Sequence, residues 1–217
     1  MRRTINNTGQ ANSQRLMVRG GLLVAAVLVV GGLAGLADRA RASNDTFQPE
    51  MTPSEGRAIW DSLGTLKGQL AIRDLEIERA RAVMNYSSMY QIPADLSEAI
   101  YDIALAEGIN PAIGFRLVQI ESGFDARAKS RVGAIGYTQL MPATVRFFMP
   151  RIDESMIYDR DVNLRLGFRF LHQLMNRFDG NLHYALLAYN RGPTTVREIL
   201  AQGGNPANGY AEKVVGK

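Results

Sequence analysis

The sequence predicts a mainly α-helical protein, and three observations predict it. From about position 54 onward, apolar residues recur three and four apart. Helix starts and stops are punctuated by Asn-Pro, Asp, Asn and Gly. No segment shows the strict apolar–polar alternation of a half-buried strand. A small hairpin in the loop at 125–136, rich in Gly, Ala and Ser, is the one β feature compatible with the pattern.

Thr52-Pro53-Ser54-Glu55 opens the first helix. Ile59, Leu63, Leu66, Leu70, Ile77, Ala80 and Met84 then form a heptad-like stripe, broken once by Arg73. The stripe admits two readings. It packs on the domain that follows, which a short and interrupted stripe favours, or the 54–85 helix serves a protein partner or self-association. Tyr86 to Pro93 reads as the junction. Leu96, Ile100, Ile103 and Ala104 mark the next helix, ended near Gly108. Asn110-Pro111 starts another, with Asn as N-cap and Pro at the first helical position. Its apolar face is Ile113, Leu117, Val118 and Ile120, and Gly123 is its expected C-cap. Pro142 starts a short helix to Phe148, and Pro150 ends that region. Asp161 is the expected cap of a long helix carrying Val162, Leu164, Phe168, Leu171, Met175 and Phe178, closed by Gly180. Asn181 caps a helix from Leu182 to about Tyr189, Pro193 opens a short one, and Asn205-Pro206 repeats the start signal for a last one.

Composition narrows the function classes. The chain of 217 residues has no cysteine, hence no disulfide, thiol nucleophile or Cys-based metal site. Its two histidines, His172 and His183, are too few for the usual zinc amidase or peptidase and sit in helical patterns as surface or packing residues. The net charge of +4 is misleading. Residues 1–42 hold six arginines and one acid, so the remainder is close to neutral at −1. A neutral remainder offers no basic face for nucleic acid.

The first 19 residues are polar and basic, and Gly20 to Ala37 is an uncharged, mostly apolar run of 18. Ala40-Arg41-Ala42 fits the small-x-small pattern before a cleavage site. This reads as an export signal cut after Ala42, or as an uncleaved membrane anchor through 20–37. Either way the rest is expected outside the cytoplasm, in the periplasm. The expected organisation is a leader at 1–42, a spacer and heptad-like helix at 43–91, and a compact helical domain at 92–217.

One residue carries chemistry. Glu121 falls at the end of its helix, where the macrodipole disfavours an anion. That position and an apolar wall both raise a carboxyl pKa, as a general acid requires. Taken alone, the position also fits a solvated glutamate. Most glycosidases pair two carboxylates. Here no Asp or Glu stands between Asp125 and Asp153, and Asp125 reads as a loop-capping aspartate. In the loop, Arg127, Lys129 and Arg131 alternate, either as a solvated face or as contacts for acidic groups.

The stretch Glu121-Ser122-Gly123-Phe124, with Ala128, Ser130, Gly133-Ala134, Gly136, Gln139, Met141-Pro142 and Thr144, resembles the signature of the soluble lytic transglycosylase (SLT) family. Ala188-Tyr189-Asn190 with Gly192-Pro193 looks like the family's second motif, and Tyr210 to Val214 like its C-terminal Tyr-x-x-x-Val element. The resemblance covers roughly 92–217. It implies a lysozyme-like domain of the α+β lysozyme superfamily, mostly helical, that cleaves peptidoglycan glycan strands without metal or cofactor. It implies Glu121 as the acid that then serves as base, with 1,6-anhydromuramic acid as product. Ser130 and Gln139 then contact substrate, Met141 lines the cleft, and Tyr189 hydrogen-bonds near Glu121 and orients it. Asn190 is implied to be structural or to stand behind the site, and Ser122 either to support the site or to stabilise its own helix end. Tyr137-Thr138 stand where the family usually has Leu-Met, at positions that face the sugar cleft in the family. The rival readings are a hydrolytic muramidase, for which no base for water is well placed, and a non-catalytic wall-binding or scaffold protein of an envelope machine, which the 54–85 helix favours and an intact Glu121 disfavours.

Overall fold

The computed structural model describes residues 52–216. The leader at 1–42 and most of the spacer lie outside the described residues. The described residues fall into two units that divide after Lys67, residues 52–67 and 68–216. Among the described residues no helix is long and apolar enough to cross a membrane.

Helix α1, Pro53–Tyr90, belongs to both units by its residue range. It starts on a reciprocal cap. The Glu55 amide donates to Thr52 Oγ1 at 3.3 Å, and the Thr52 amide donates to Glu55 Oε2 at 2.9 Å. Within the second unit its last turns pack firmly. Arg79 donates to Asp102 Oδ1 at 2.8 Å and to Glu98 Oε1 at 2.6 Å, while Ser97 Oγ donates to the buried Val83 carbonyl at 2.8 Å. The helix runs on through the expected junction because Tyr86 and Tyr90, one turn apart, both stack on Phe115 at 4.1 and 5.4 Å. It stops at Gln91, whose φ is 53°.

The heptad-like stripe is not the packing face. Ile59, Leu63, Leu66, Leu70, Ile77 and Met84 are 42 to 60% exposed. Residues 68–90 are held instead by Val83, Tyr86 and Tyr90, which share a neighbouring face of the helix. Within the second unit the helix therefore packs on the domain, as one of the two readings expects, but in a three–four register different from that of Leu70, Ile77 and Met84.

The helices of the second unit follow in order. They are α2 (Ala94–Ala106), α3 (Pro111–Ser122), α4 (Pro142–Phe148), a 3-10 turn (Glu154–Tyr158), α5 (Arg160–Arg177), α6 (Leu182–Arg191), α7 (Pro193–Ala201) and α8 (Tyr210–Val215). Helix α5 is the central one, touching α2, α4, α6 and the 3-10 turn. One core gathers Ile100, Phe115, Leu117, Phe168, Leu171, Leu186 and Val214, all fully buried. Each such side chain contributes about 1.5–3 kcal/mol of burial. Gly114 lets α3 approach closely, since a Cβ there would stand 3.2 Å from both Ala104 and Phe168. A second, smaller core of Ile135, Leu140, Val145, Ile157 and Leu166 supports the loop before α4.

Two of the expected helix starts move. The N-cap of α5 is Asp159, which accepts from the Val162 amide at 3.0 Å, while Asp161 lies inside the first turn and pairs with Arg160 at 2.8 Å. Asn205-Pro206 makes only a turn, with Asn205 Oδ1 accepting from the Ala207 amide at 3.0 Å. The Pro206 carbonyl is taken by Arg191 at 2.7 Å and does not propagate a helix. Helix α8 starts later, at Tyr210, after Gly209 with φ 81°.

The hairpin expectation is met in reduced form. Isolated antiparallel bridges join Lys129 to Ile135 and Ile135 to Leu140. Among the described residues these bridges are the β structure present, and the fold is mainly α as predicted.

Candidate active site

Helix α3 delivers Glu121. Asn110 Oδ1 caps it by accepting from the Ala112 amide at 2.9 Å, and Phe115, Leu117 and Val118 seat it in the core. Gly123 ends it in the left-handed region at φ 61°, its amide donating to the Gln119 carbonyl at 2.9 Å. Phe124 follows at φ 67° and sends its ring to Tyr90, 5.3 Å away. Glu121 is thus left on the last turn, half-buried between the helix end and the chain that turns away from it.

Burial pushes the Glu121 carboxyl up to about 6. A hydrogen bond from the Tyr210 hydroxyl to Glu121 Oε1 works in the other direction and is the smaller effect. Among the described residues no cation pairs with this carboxyl. The group is therefore a carboxylic acid with proton affinity near neutrality, held by a tyrosine.

Tyr210 has no site role in the reading of the sequence. The Tyr-x-x-x-Val element contains it, but nothing local says that its hydroxyl reaches a residue 89 positions earlier. The fold brings it there through several ties. Its amide donates to Asn208 Oδ1 at 3.1 Å, Asn208 Nδ2 donates to Asn190 Oδ1 at 2.9 Å, and Arg116 of α3 donates to the Val215 carbonyl at the end of α8. Asn190 thus links α6 to the segment that sets Tyr210. Burial and the neighbouring Glu121 charge push the Tyr210 hydroxyl well above the ordinary tyrosine range, so it stays a donor.

Tyr189 is placed differently from its expected role. It is near enough to Glu121 for that charge to raise its pKa, but its hydroxyl donates to the Thr138 carbonyl at 2.8 Å. Tyr189 therefore clamps the loop to α6, and Tyr210 makes the hydrogen bond to the acid.

The expected cleft positions Tyr137-Thr138 are buried. Thr138 is inaccessible, its amide and hydroxyl both donating to Asn163 Oδ1 at 2.8 Å. Asn163 Nδ2 in turn donates to the Ile135 and Ile157 carbonyls at 3.0 Å each. Gly167 makes room for Thr138, for a Cβ there would fall inside the space that the Thr138 side chain fills. Tyr137 is 9% exposed and joins the main core. A pair expected to face sugar instead anchors the loop from below.

The other predicted residues surround this loop. Gln139, at φ 46°, donates from Nε2 to the Ala128 and Gly136 carbonyls at 3.1 and 3.0 Å. Ser130 Oγ accepts from the Ala134 amide at 2.9 Å. Met141 is 40% exposed at the start of α4. Ser122 Oγ donates back to the Val118 carbonyl at 3.1 Å, the helix-end bond that its own sequence position suggests. Asp125 Oδ1 accepts from the Arg127 amide at 2.8 Å in an Asx turn, which is the loop-capping reading. Arg127, Lys129 and Arg131 are all exposed, and Lys129 Nζ lies 4.0 Å from Glu154. Among the described residues no group of three or more His, Asp or Glu side chains is close enough to hold a metal ion. His172 lies against Gly108, and His183 stands 4.0 Å from Glu212.

Relatives share part of the chain in sequence. The soluble lytic murein transglycosylase of Escherichia coli (strain K12) is 33% identical over 86 residues, covering 37% of this chain and 13% of that protein. The transglycosylase of Enterobacteria phage PRD1 is 36% identical over 84 residues, covering 39% of this chain and 30% of that one. The chain thus spans less than half the length of these curated relatives. A solved structure of the 70-kDa soluble lytic transglycosylase in complex with bulgecin A superposes with a TM-score of 0.51 at 21% identity, over 60% of this chain and 24% of that one, a likeness of fold. The transglycosylase SLT domain family matches residues 98–210, more than half of the chain, from within α2 to the tyrosine that holds Glu121. On that match, the chain belongs to the transglycosylase SLT domain family.

Proposed function

We propose that this protein is a lytic transglycosylase that cleaves the β-1,4 bond between N-acetylmuramic acid and N-acetylglucosamine in peptidoglycan, leaving 1,6-anhydromuramic acid. The observation that carries the reading is a single half-buried carboxyl with a pKa near 6, oriented by Tyr210, while the adjacent Asp125 is engaged as a turn cap. A hydrolytic muramidase needs a base for water, and the engaged Asp125 does not favour it.

In this reading protonated Glu121 gives its proton to the glycosidic oxygen as the bond from muramic C1 to that oxygen breaks. The substrate's N-acetyl oxygen covers the anomeric carbon. Glu121, now a carboxylate, takes the proton of the muramoyl 6-hydroxyl as O6 bonds to C1. The proton is back on Glu121 and no water is consumed. Holding the 6-hydroxyl on the same sugar makes the second step unimolecular. Met141, exposed at the start of α4, and Gln139 are the groups we assign to sugar contact, with Ser130 beside them. Tyr189 and Asn190 act by holding the loop and Tyr210, and Ser122 by securing the helix end. The exposed Arg127, Lys129 and Arg131 would face acidic groups of the polymer.

The murein named for the Escherichia coli relative lies outside the cytoplasm, and the basic, apolar leader supports export or anchoring of this chain there. The exposed stripe of α1 supports a protein partner or self-association through 54–85. Unchanged oligomer size after deleting 43–85 would count against self-association.

The deciding experiment is mass spectrometry of the soluble products released from purified sacculi. Anhydro-ended muropeptides, one water lighter than reducing ends, are expected. Reducing ends would replace the proposal with a muramidase, and wall binding without release would replace it with a scaffold.

A further inference from the structure

Helices α3 and α8 lie antiparallel and are joined by two polar contacts. At one end the Tyr210 hydroxyl, on the first residue of α8, donates to Glu121 in the last turn of α3. At the other end the Arg116 guanidinium of α3 donates to the carbonyl of Val215, the last residue of α8. The two contacts are five positions apart on both helices. At about 1.5 Å of rise per residue each span is about 7.5 Å, so the contacts form two matched rungs.

Helix α8 has six residues, too few to hold its place by its own hydrogen bonds. Ala211 and Val214 are fully buried and press it on the core. Apolar burial is non-directional and does not fix where a short helix sits along its axis. Polar ties do. The Tyr210 amide donates to Asn208 Oδ1 at 3.1 Å at the first end. In the last turn the Glu212 carbonyl accepts from the Gly216 amide at 2.8 Å, and Arg116 takes the Val215 carbonyl that the helix itself leaves over. A cation there also suits the negative end of the α8 dipole. Gly216 opens the approach: it stands at φ 80°, and a Cβ would overlap the Arg116 guanidinium.

We propose that Arg116 is a positioning residue of the reaction, holding α8 at the axial position that keeps the Tyr210 hydroxyl on Glu121. The inference rests on the reading of Glu121 as the acid and adds what sets its geometry from a distance. A slip of α8 by one residue moves the hydroxyl by about 1.5 Å, enough to take it out of hydrogen-bond range. The titratable groups facing Glu121 are Tyr210 from α8 and Tyr189 from α6. Tyr189 is engaged with the Thr138 carbonyl, so it does not replace the lost donor. Arg116 also lies near enough to Tyr86 of α1 for its charge to oppose the rise that burial imposes on that hydroxyl, so the test must separate an effect through α8 from one through α1.

The test follows the Glu121 carboxyl by NMR titration of isotope-labelled protein, alongside the pH profile of kcat on glycan strands. It compares the wild type, Arg116→Met, which keeps the apolar stem and removes every donor, Tyr210→Phe and the double variant. Arg116→Met is expected to move the Glu121 midpoint and the alkaline limb to higher pH, the direction expected for Tyr210→Phe, with kcat about fivefold lower and KM unchanged. In the Tyr210→Phe background the change at Arg116 should move neither midpoint nor kcat further, because both substitutions break the same contact. A midpoint unmoved or lowered in Arg116→Met, or an equal shift in both backgrounds, overturns the proposal. Gly216→Ala fills the place of the guanidinium without removing it and should reproduce the shift. Should Arg116→Met fail to fold, Gly216→Ala decides by the same titration, and an unmoved midpoint overturns the proposal. If the wild type releases no anhydro-ended products, the catalytic reading fails by itself, and the NMR midpoints alone decide whether Arg116 holds Tyr210 on Glu121.

Discussion

Replacing Glu121 by glutamine should abolish lysis and, at alkaline pH, stabilise the fold. Glu121 is raised from 4.5 to about 6, mainly by burial. A carboxyl whose folded pKa lies above its unfolded value binds its proton more tightly in the folded state. Its favourable contribution is complete below pH 4.5 and is lost as pH rises through about 6. Each tenfold change in proton affinity is worth about 1.4 kcal/mol, so the ionised carboxylate costs the fold about 2 kcal/mol relative to the acid. The replacement amide is nearly isosteric with the acid, never ionises, and still offers an oxygen to Tyr210. At pH 4 the two proteins should therefore melt together. At pH 8 the variant should be more stable by about 2 kcal/mol, or about 4–8 °C for a chain of this size. Thermal unfolding by circular dichroism at both pH values measures the double difference, which cancels any pH-independent effect of the substitution. A variant of equal or lower stability at pH 8, given equal melting at pH 4, would refute the claim that burial raises this carboxyl. Residual lysis would sink its assignment as the acid.

Three other perturbations probe the surroundings. Tyr210→Phe removes the hydrogen bond that holds the Glu121 pKa down, so the alkaline limb of the lysis profile should move from near 6 to higher pH, with kcat lower by about tenfold; an unmoved limb would show that the tyrosine does not act on the acid. Asn163→Ala leaves the Thr138 amide and the Ile135 and Ile157 carbonyls without their partner, and the denaturation midpoint should report a loss of about 3 kcal/mol or more. A loss below about 1 kcal/mol would mean that water replaces the amide at little cost. Gly167→Ala forces a Cβ to within 2.5 Å of Thr138 Cβ and should cost about 1–3 kcal/mol, with part of the loss recovered when Thr138→Gly is added; strictly additive effects would contradict the close approach.

Much of this protein is written in short-range chemistry. Asn110-Pro111, Asn181 and Pro193 start helices where the sequence says, because an N-cap or a proline acts on amides two or three residues away. Gly123 stops α3 one residue past Ser122 for the same kind of reason, which places Glu121 on the last turn whatever the rest of the chain does. The motif around Glu121 is likewise a local pattern, and it carries the family resemblance without reference to any contact. What packing decided is of longer range. Two aspartates, Asp159 and Asp161, compete to cap α5, and the geometry of the preceding 3-10 turn chooses the first. Asn205-Pro206 carries a helix signal, but Arg191 claims the Pro206 carbonyl that a helix needs. The stripe on α1 has the period of a packing face, yet Tyr86 and Tyr90 stack on Phe115 and turn a different face inward. Thr138 falls at a position expected to face the sugar cleft but lies beneath the loop, because Gly167 and Asn163 on α5 leave a space of its size and polarity there. The proton affinity of Glu121 belongs to the same class. It depends on how much water the fold removes and on a tyrosine 89 residues away, and neither periodicity nor capping encodes a distance of that length.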